Sequence, residues 1–161
     1  MANPLKPPKL LALQHNCTRG GQVLVSALET AVKMEADLVL IQEPRKGGER
    51  DRTRAHPSFN FIRGTENEPV KCWIAVNRAS KCQVTEIKEL TRECSNHMQV
   101  AEVVIPGGET IVIANVYDQW FASERPVQKA KWGEIARQKR VIIAGDMNAH
   151  SDMWNPRAIR R

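Results

Sequence analysis

The 161-residue chain has no CxxC pair, no apolar run of bilayer length and no leader-like N-terminus. Its four cysteines, Cys17, Cys72, Cys82 and Cys94, are scattered, and Cys94 with His97 is a lone C-x-x-H without a second half. That spacing argues against a zinc site and reads as reduced thiols of an intracellular protein. The longest apolar stretches, such as Val141 to Gly145, fall far short of the roughly 20 residues that cross a bilayer, so no membrane partner is expected. Met1 to Leu13 carries only the Leu10–Leu13 apolar patch behind three prolines. Without a longer apolar core and a small-residue cleavage site, the chain is not expected to be secreted. Internal repeats and low-complexity tracts are also missing, which sets aside solenoid and linker architectures.

What is present fits one folded domain. Apolar residues make up 42% and charged residues 26%, close to globular averages. A chain of this length buries a sizeable core without covalent staples. Residues 1–8 (MANPLKPP) read as a lead-in, and 9–161 as the domain. Lys plus Arg number 24 against 18 Asp plus Glu, a net charge of +6. That surplus favours anionic partners, nucleic acid first, without specifying fold or chemistry.

Periodicity gives the architecture. Lys9 to His15 is a short run apolar on both faces, as in a buried strand, and Asn16 to Gly21 breaks it. From Gln22 to Ala36 the residues Leu24, Ala27, Leu28, Ala31 and Val32 fall on one helical face. Asp37 to Glu43 is a second buried strand, which completes a βαβ unit. Five β-rich segments follow: Phe59 to Arg63, Val70 to Asn77, Cys82 to Ile87, Met98 to Ile105 and Thr110 to Tyr117. Pro106-Gly107-Gly108 reads as a hairpin turn between the last two. Ser123 to Arg137 predicts a helix with Pro126 in its first turn. Arg140 to Gly145 is a further strand, apolar on both faces and therefore expected to be central. The class is α/β with mixed sheets.

Four apolar strands end in polar groups: His15-Asn16, Glu43, Tyr117 and Asp146-Met147-Asn148. In open α/β sheets ligands collect at the carboxyl ends of strands. Alternation places Val39, Ile41 and Glu43 on one face, and Asn115 with Tyr117 on another. Two carboxylates with several carboxamides and hydroxyls suit a hard cation, which takes one or two carboxylates plus water and phosphate. Each residue also has a plain structural reading. Asn16 fits a turn former, Glu43 a strand end in solvent, Asp146 to Asn148 an Asx-rich turn, and Tyr117 a half-buried sheet aromatic. Only their recurrence at strand ends raises the functional alternative.

In order and separation, LALQHN, LVLIQEP, NVY and IIAGDMNAHSDMWNP resemble the endonuclease/exonuclease/phosphatase superfamily. The endonuclease domains of non-LTR retrotransposons, the fungal type in particular, look most similar. The resemblance implies a four-layer α/β sandwich, two mixed β-sheets flanked by helices, incomplete at the C-terminus. It also implies phosphodiester cleavage of DNA with Mg²⁺ or Mn²⁺. Carried over by position, Glu43 looks like the metal-binding carboxylate, and Asn16 like the carboxamide that supports metal and phosphate. Asp146 looks like the group that orients the attacking water, Asn148 like its partner, and Tyr117 like a tyrosine approaching phosphate oxygens. The superfamily's late Ser-Asp-His type motif has no match. The only downstream histidine, His150, lies inside GDMNAH and reads as a loop residue. From this the chain is expected to be the N-terminal portion of a domain with impaired activity. A reverse transcriptase module in the same element is the implied partner, and the nucleus the implied compartment if the element is active. A phosphatase acting on a small phosphoester and an inactive nucleic-acid-binding remnant stay open as alternatives.

Two basic stretches, Arg45 to Arg54 and Arg125 to Arg140, suit a phosphate backbone, with Arg45, Arg52, Lys129, Lys131 and Arg137 as candidate contacts. A charged loop and a solvated helix face explain them equally well. Trp73 and Trp132 read as core, and Trp120 and Phe121 as a core edge or a base-stacking pair. Together the strand ends predict that Asn16, Glu43, Asp146 and Asn148 converge at one end of the sheets.

Overall fold

The computed structural model describes residues 9–44, 56–64, 70–118 and 125–148. Two four-stranded sheets form its centre. The first contains β1 (Ala12–Asn16), β2 (Leu38–Gln42), β3 (Phe59–Arg63) and β4 (Cys72–Asn77), in the order β1-β2-β4-β3. The second contains β5 (Gln83–Glu86), β6 (Met98–Val104), β7 (Thr110–Tyr117) and β8 (Val141–Asp146), in chain order. Each sheet is mixed. β1 runs parallel to β2, and β7 parallel to β8; the other pairings are antiparallel.

Strand composition explains the stacking. All five residues of β2, LVLIQ, are buried, because β2 lies inside its sheet with both faces covered. Val39 and Ile41 point outward to α1 (Gly21–Lys33), where they meet Leu24, Leu28 and Ala31. Leu38 and Leu40 point inward and meet Ala101, Val103 and Ile113 of the second sheet. A third core covers the far side. There Val100, Val112, Ala114 and Val116 pack on Val127, Ala130 and Ile135. The molecule is thus a four-layer sandwich with a small outer layer on the second sheet.

Both helical expectations need adjustment. α1 stops at Lys33 rather than Ala36. The Glu35 N–H bonds to the Val32 carbonyl and the Ala36 N–H to the Ala31 carbonyl, with Glu35 at φ +55. That is a Schellman ending with glutamate in the left-handed position. Of the predicted helix from Ser123 to Arg137, the described part is a 3-10 turn (Pro126–Lys129) and the five-residue α2 (Trp132–Ala136). Ala130 between them is extended, and the Lys131 N–H bonds instead to the Leu90 carbonyl. Among the described residues β8 pairs only with β7, and Ile142 and Ile143 are 45% and 48% exposed.

Amides occupy the sandwich interior just below one end. The Gln14 side chain donates to Gln42, and Gln42 donates to Asn115 across the sheets. The Asn115 carboxamide then donates to the carbonyls of Ile41 and Trp73, at 3.0 and 2.7 Å. Gln42 and Asn115 are fully buried. A buried amide left unpaired costs about 1–3 kcal/mol, so these groups favour one alignment of the sheets over its slipped alternatives.

Candidate active site

Above this amide layer the predicted residues meet. Asn16 ends β1 on its inner face, in register with Gln42. Its Nδ2 donates to Asp146 Oδ2 at 2.7 Å and to Glu43 Oε1 at 3.3 Å. One amide therefore bridges two carboxylates from different sheets. Its own carbonyl Oδ1 accepts the Thr18 N–H at 2.8 Å, which fixes the carboxamide plane. Asp146 is the register partner of Tyr117, so the end of β7 adjoins the same space.

Glu43 reaches that space by leaving the strand pattern. Alternation groups it with Val39 and Ile41, which lie under α1. β2 ends at Gln42, however, and Glu43 has φ +45. The left-handed backbone turns its carboxylate toward Asn16 instead. The main chain is held there, since the Glu43 N–H bonds to the Lys71 carbonyl and its own carbonyl accepts the Arg19 N–H, both at 2.8 Å. The Arg19 guanidinium lies 3.3 Å from Glu43 Oε2 and is half exposed. Of the five non-glycine residues with positive φ among those described, Thr18, Arg19, Glu43 and Asn148 are at this site. Such conformations cost about 1–3 kcal/mol each and persist where the surroundings over-determine them.

On the other sheet, Gly145 precedes Asp146 with φ +143, and a Cβ there would stand 1.9 Å from the Val116 carbonyl oxygen. Only glycine lets β8 approach β7 this closely just before the carboxylate. After Asp146 the chain turns. The Asn148 N–H donates to Asp146 Oδ1 at 3.0 Å, and the Asn148 side chain donates to the Asp118 carbonyl at 2.8 Å. Tyr117 is buried, with its ring stacked on His97 at 6.5 Å between centroids.

All four residues predicted to converge do so, joined by these bonds, and Tyr117 adjoins them. The described basic candidates, Lys129, Lys131 and Arg137, are elsewhere. Lys129 and Lys131 line a cavity of about 230 Å³ with Glu89, Arg92 and Glu93, and Lys131 pairs with Glu134 at 3.3 Å. Arg137 follows α2 on the outer layer. Arg45, Arg52, Trp120, Phe121 and His150 lie outside the described residues.

Sequence reading missed three contributors: Arg19, Gln42 and Asp118. Asp118 is 4% exposed and paired with Arg125. Its hydrogen bond raises the Arg125 pKa above its ordinary value, so the arginine keeps its charge. A carboxylate directly after a buried strand end was the available signal. For Gln42, the signal was an amide inside an otherwise apolar run.

The donor set suits a hard cation. Glu43 Oε1 and Asp146 Oδ2 are no more than about 6 Å apart, being 3.3 and 2.7 Å from one nitrogen. The described residues contain no cluster of three His, Cys, Asp or Glu groups. Two carboxylates in an open polar space match Mg²⁺, which keeps much of its water. All four cysteines are free, and burial pushes the Cys17 and Cys94 thiols up to about 11. No helix among the described residues is long and apolar enough to cross a membrane.

No family model matches the chain, and no curated protein sequence does. Solved structures do. The endonuclease domain of TRAS1, a telomere-specific non-LTR retrotransposon, superposes with a TM-score of 0.68 at 25% identity, over 92% of this chain and 64% of that one. TDP2 from D. rerio, complexed with a single-strand DNA product, matches with TM-score 0.55 at 16% identity, over 89% and 62%. TDP2 from C. elegans matches with TM-score 0.55 at 16% identity, over 93% and 50%. The chain thus spans less than two thirds of the length of these structures.

Proposed function

We propose that this chain, whose fold is that of the endonuclease/exonuclease/phosphatase superfamily, hydrolyses phosphodiester bonds in DNA as an endonuclease of the non-LTR retrotransposon type. The observation that carries the reading is the Asn16 amide joining Glu43 and Asp146 across two sheets. The partner is DNA, in keeping with a net charge of +6 and with structural neighbours that are a retrotransposon endonuclease domain and TDP2 bound to single-strand DNA product. A reverse transcriptase module in the same element is the implied protein partner.

Glu43 is the carboxylate that would hold Mg²⁺ or Mn²⁺, with Asn16 supporting it and Asp146 adjoining. The cation, when bound, supplies Lewis-acid stabilisation of phosphoryl oxygens. The chain's own groups do the rest. Asp146, fixed by Asn16 and by the Asn148 N–H, aims an acceptor at the attacking water. Asn148 fixes the turn after it, and Tyr117 limits where the phosphate can lie. This is catalysis by positioning and preset charge. Arg45, Arg52, Lys129, Lys131 and Arg137 are proposed backbone contacts, tested by their effect on the salt dependence of binding.

Nicking of supercoiled plasmid with Mg²⁺, against an EDTA control, tests the reading. Glu43→Gln and Asp146→Asn are expected to lower the rate by about 10²–10³. Absence of nicking with either metal, or full activity of Glu43→Gln, would overturn it. Phosphate release from a small phosphoester without nicking would point to a phosphatase instead.

A further inference from the structure

Asp118 is a charged group almost fully buried beside the site, yet it is none of the residues that would touch substrate. Its main chain holds both site residues of the second sheet. The Asp118 N–H donates to the Asp146 carbonyl at 2.8 Å, one step past the last register pair of β7 and β8. Its carbonyl accepts the Asn148 side-chain amide at 2.8 Å. Asn148 has φ +43, a left-handed position that asparagine tolerates, and its side chain ties that turn to Asp118. The carboxylate faces the other way, onto Arg125. Arg125 Nε donates to Oδ1 at 3.3 Å and a terminal nitrogen to Oδ2. This is a two-pronged pair, with the arginine side chain 31% exposed and the aspartate 5%.

We propose that Asp118, anchored by Arg125, is a positioning residue that sets the turn carrying Asp146 and Asn148. This rests on the reading of those two residues as part of the reacting site. The physical step is short. A buried carboxylate without its partner is strongly disfavoured and moves toward water. The Asp118 Cα joins that carboxylate to the N–H and carbonyl bonded to Asp146 and Asn148, so any outward move larger than side-chain rotation allows shifts both groups. The alternative, that the pair merely fastens the 3-10 turn at Pro126, gives no reason for both backbone groups of Asp118 to be spent on site residues.

The test uses the full chain and three variants, Arg125→Gln, Asp118→Asn and Arg125→Lys, with two readouts. The first is hydrogen exchange of the Asn148 side-chain amide and the Asp118 N–H, followed by ¹⁵N NMR without metal or DNA. Arg125→Gln is expected to speed exchange there by about tenfold or more, while amides of β2 and β6 keep their wild-type protection. The second is plasmid nicking. Arg125→Gln is expected to lower kcat by about 10–100-fold, the usual cost of a lost orienting partner. KM is expected to stay within about twofold, since no substrate contact is removed. Arg125→Lys, which keeps the charge and one prong, recovers part of both. If Arg125→Gln does not fold, Asp118→Asn carries the same readouts with its size preserved. Unchanged exchange at Asn148 overturns the proposal. So does a raised KM with unchanged kcat, which would make Arg125 a substrate contact. If the wild-type chain does not nick DNA, the reading in the preceding subsection fails, and the exchange experiment still decides this one.

Discussion

Asn16→Ala removes the one donor between two carboxylates, and its effect can be worked from the geometry. Glu43 Oε1 and Asp146 Oδ2 are at most about 6 Å apart through that nitrogen. At this distance the repulsion is about 0.7 kcal/mol in water and about 3 kcal/mol at an effective dielectric of 20. The groups are partly exposed and Arg19 still faces Glu43, so the lower half of that range applies to repulsion. Two hydrogen bonds to charged acceptors are lost as well, each worth about 1.5–3 kcal/mol net, less what the carboxylates regain by turning to water. About 2 kcal/mol of destabilisation is expected in EDTA. Urea unfolding measures it. A variant within about 0.5 kcal/mol of wild type in EDTA refutes the reasoning.

Other consequences are equally direct. Gly145→Ala sets a Cβ 1.9 Å from the Val116 carbonyl oxygen; backbone must shift, so a loss of about 2 kcal/mol or more in urea unfolding is expected. A loss under about 0.5 kcal/mol would mean that β8 moves away freely. Glu35→Gly relieves the left-handed Schellman position at φ +55 and is expected to stabilise by about 0.5–1 kcal/mol, read as a raised urea midpoint; a lowered midpoint counts against this helix ending. Burial raises the thiols of Cys17 and Cys94 from 9.0 to about 11, so the folded chain keeps protons that the unfolded chain has already lost. The associated stability is full below pH 9 and drains toward pH 11, at about 1.4 kcal/mol per unit per thiol. Cys17→Ala should flatten the alkaline limb of stability against pH, and an unchanged limb would contradict the assigned burial.

The β2 run was legible because a strand covered on both faces is apolar throughout, and LVLIQ is apolar except at its last residue. The site was legible for a related reason, since Asn16, Glu43 and Asp146 each end such a run. What alternation could not give was direction. It sends Glu43 beneath α1 with Val39 and Ile41, and the side chain reaches Asn16 only because the backbone turns left-handed at φ +45. Glutamate carries no propensity that announces this, as asparagine at 148 does. For β8, an apolar pattern on both faces states what a strand can tolerate, not what covers it.

The pairing of Asp118 with Arg125 is likewise a property of the folded chain and not of any strand or helix pattern in the sequence. These hidden features share a cause. Strained residues at a site survive only where neighbouring structure holds them, and here the neighbours belong to different sheets. Glu43 and Arg19 are fixed on the first sheet, Asp146 and Asn148 on the second. The geometry between the two sets is therefore no better defined than the stacking of the sheets. Apolar contacts such as Leu40 against Ile113 resist slippage weakly, because a hydrophobic surface accepts many offsets. Gln42 and Asn115 do not, since an offset of a few ångströms leaves buried amides unpaired. The buried amide layer directly beneath the carboxylates is thus the element that turns two sheets into one site.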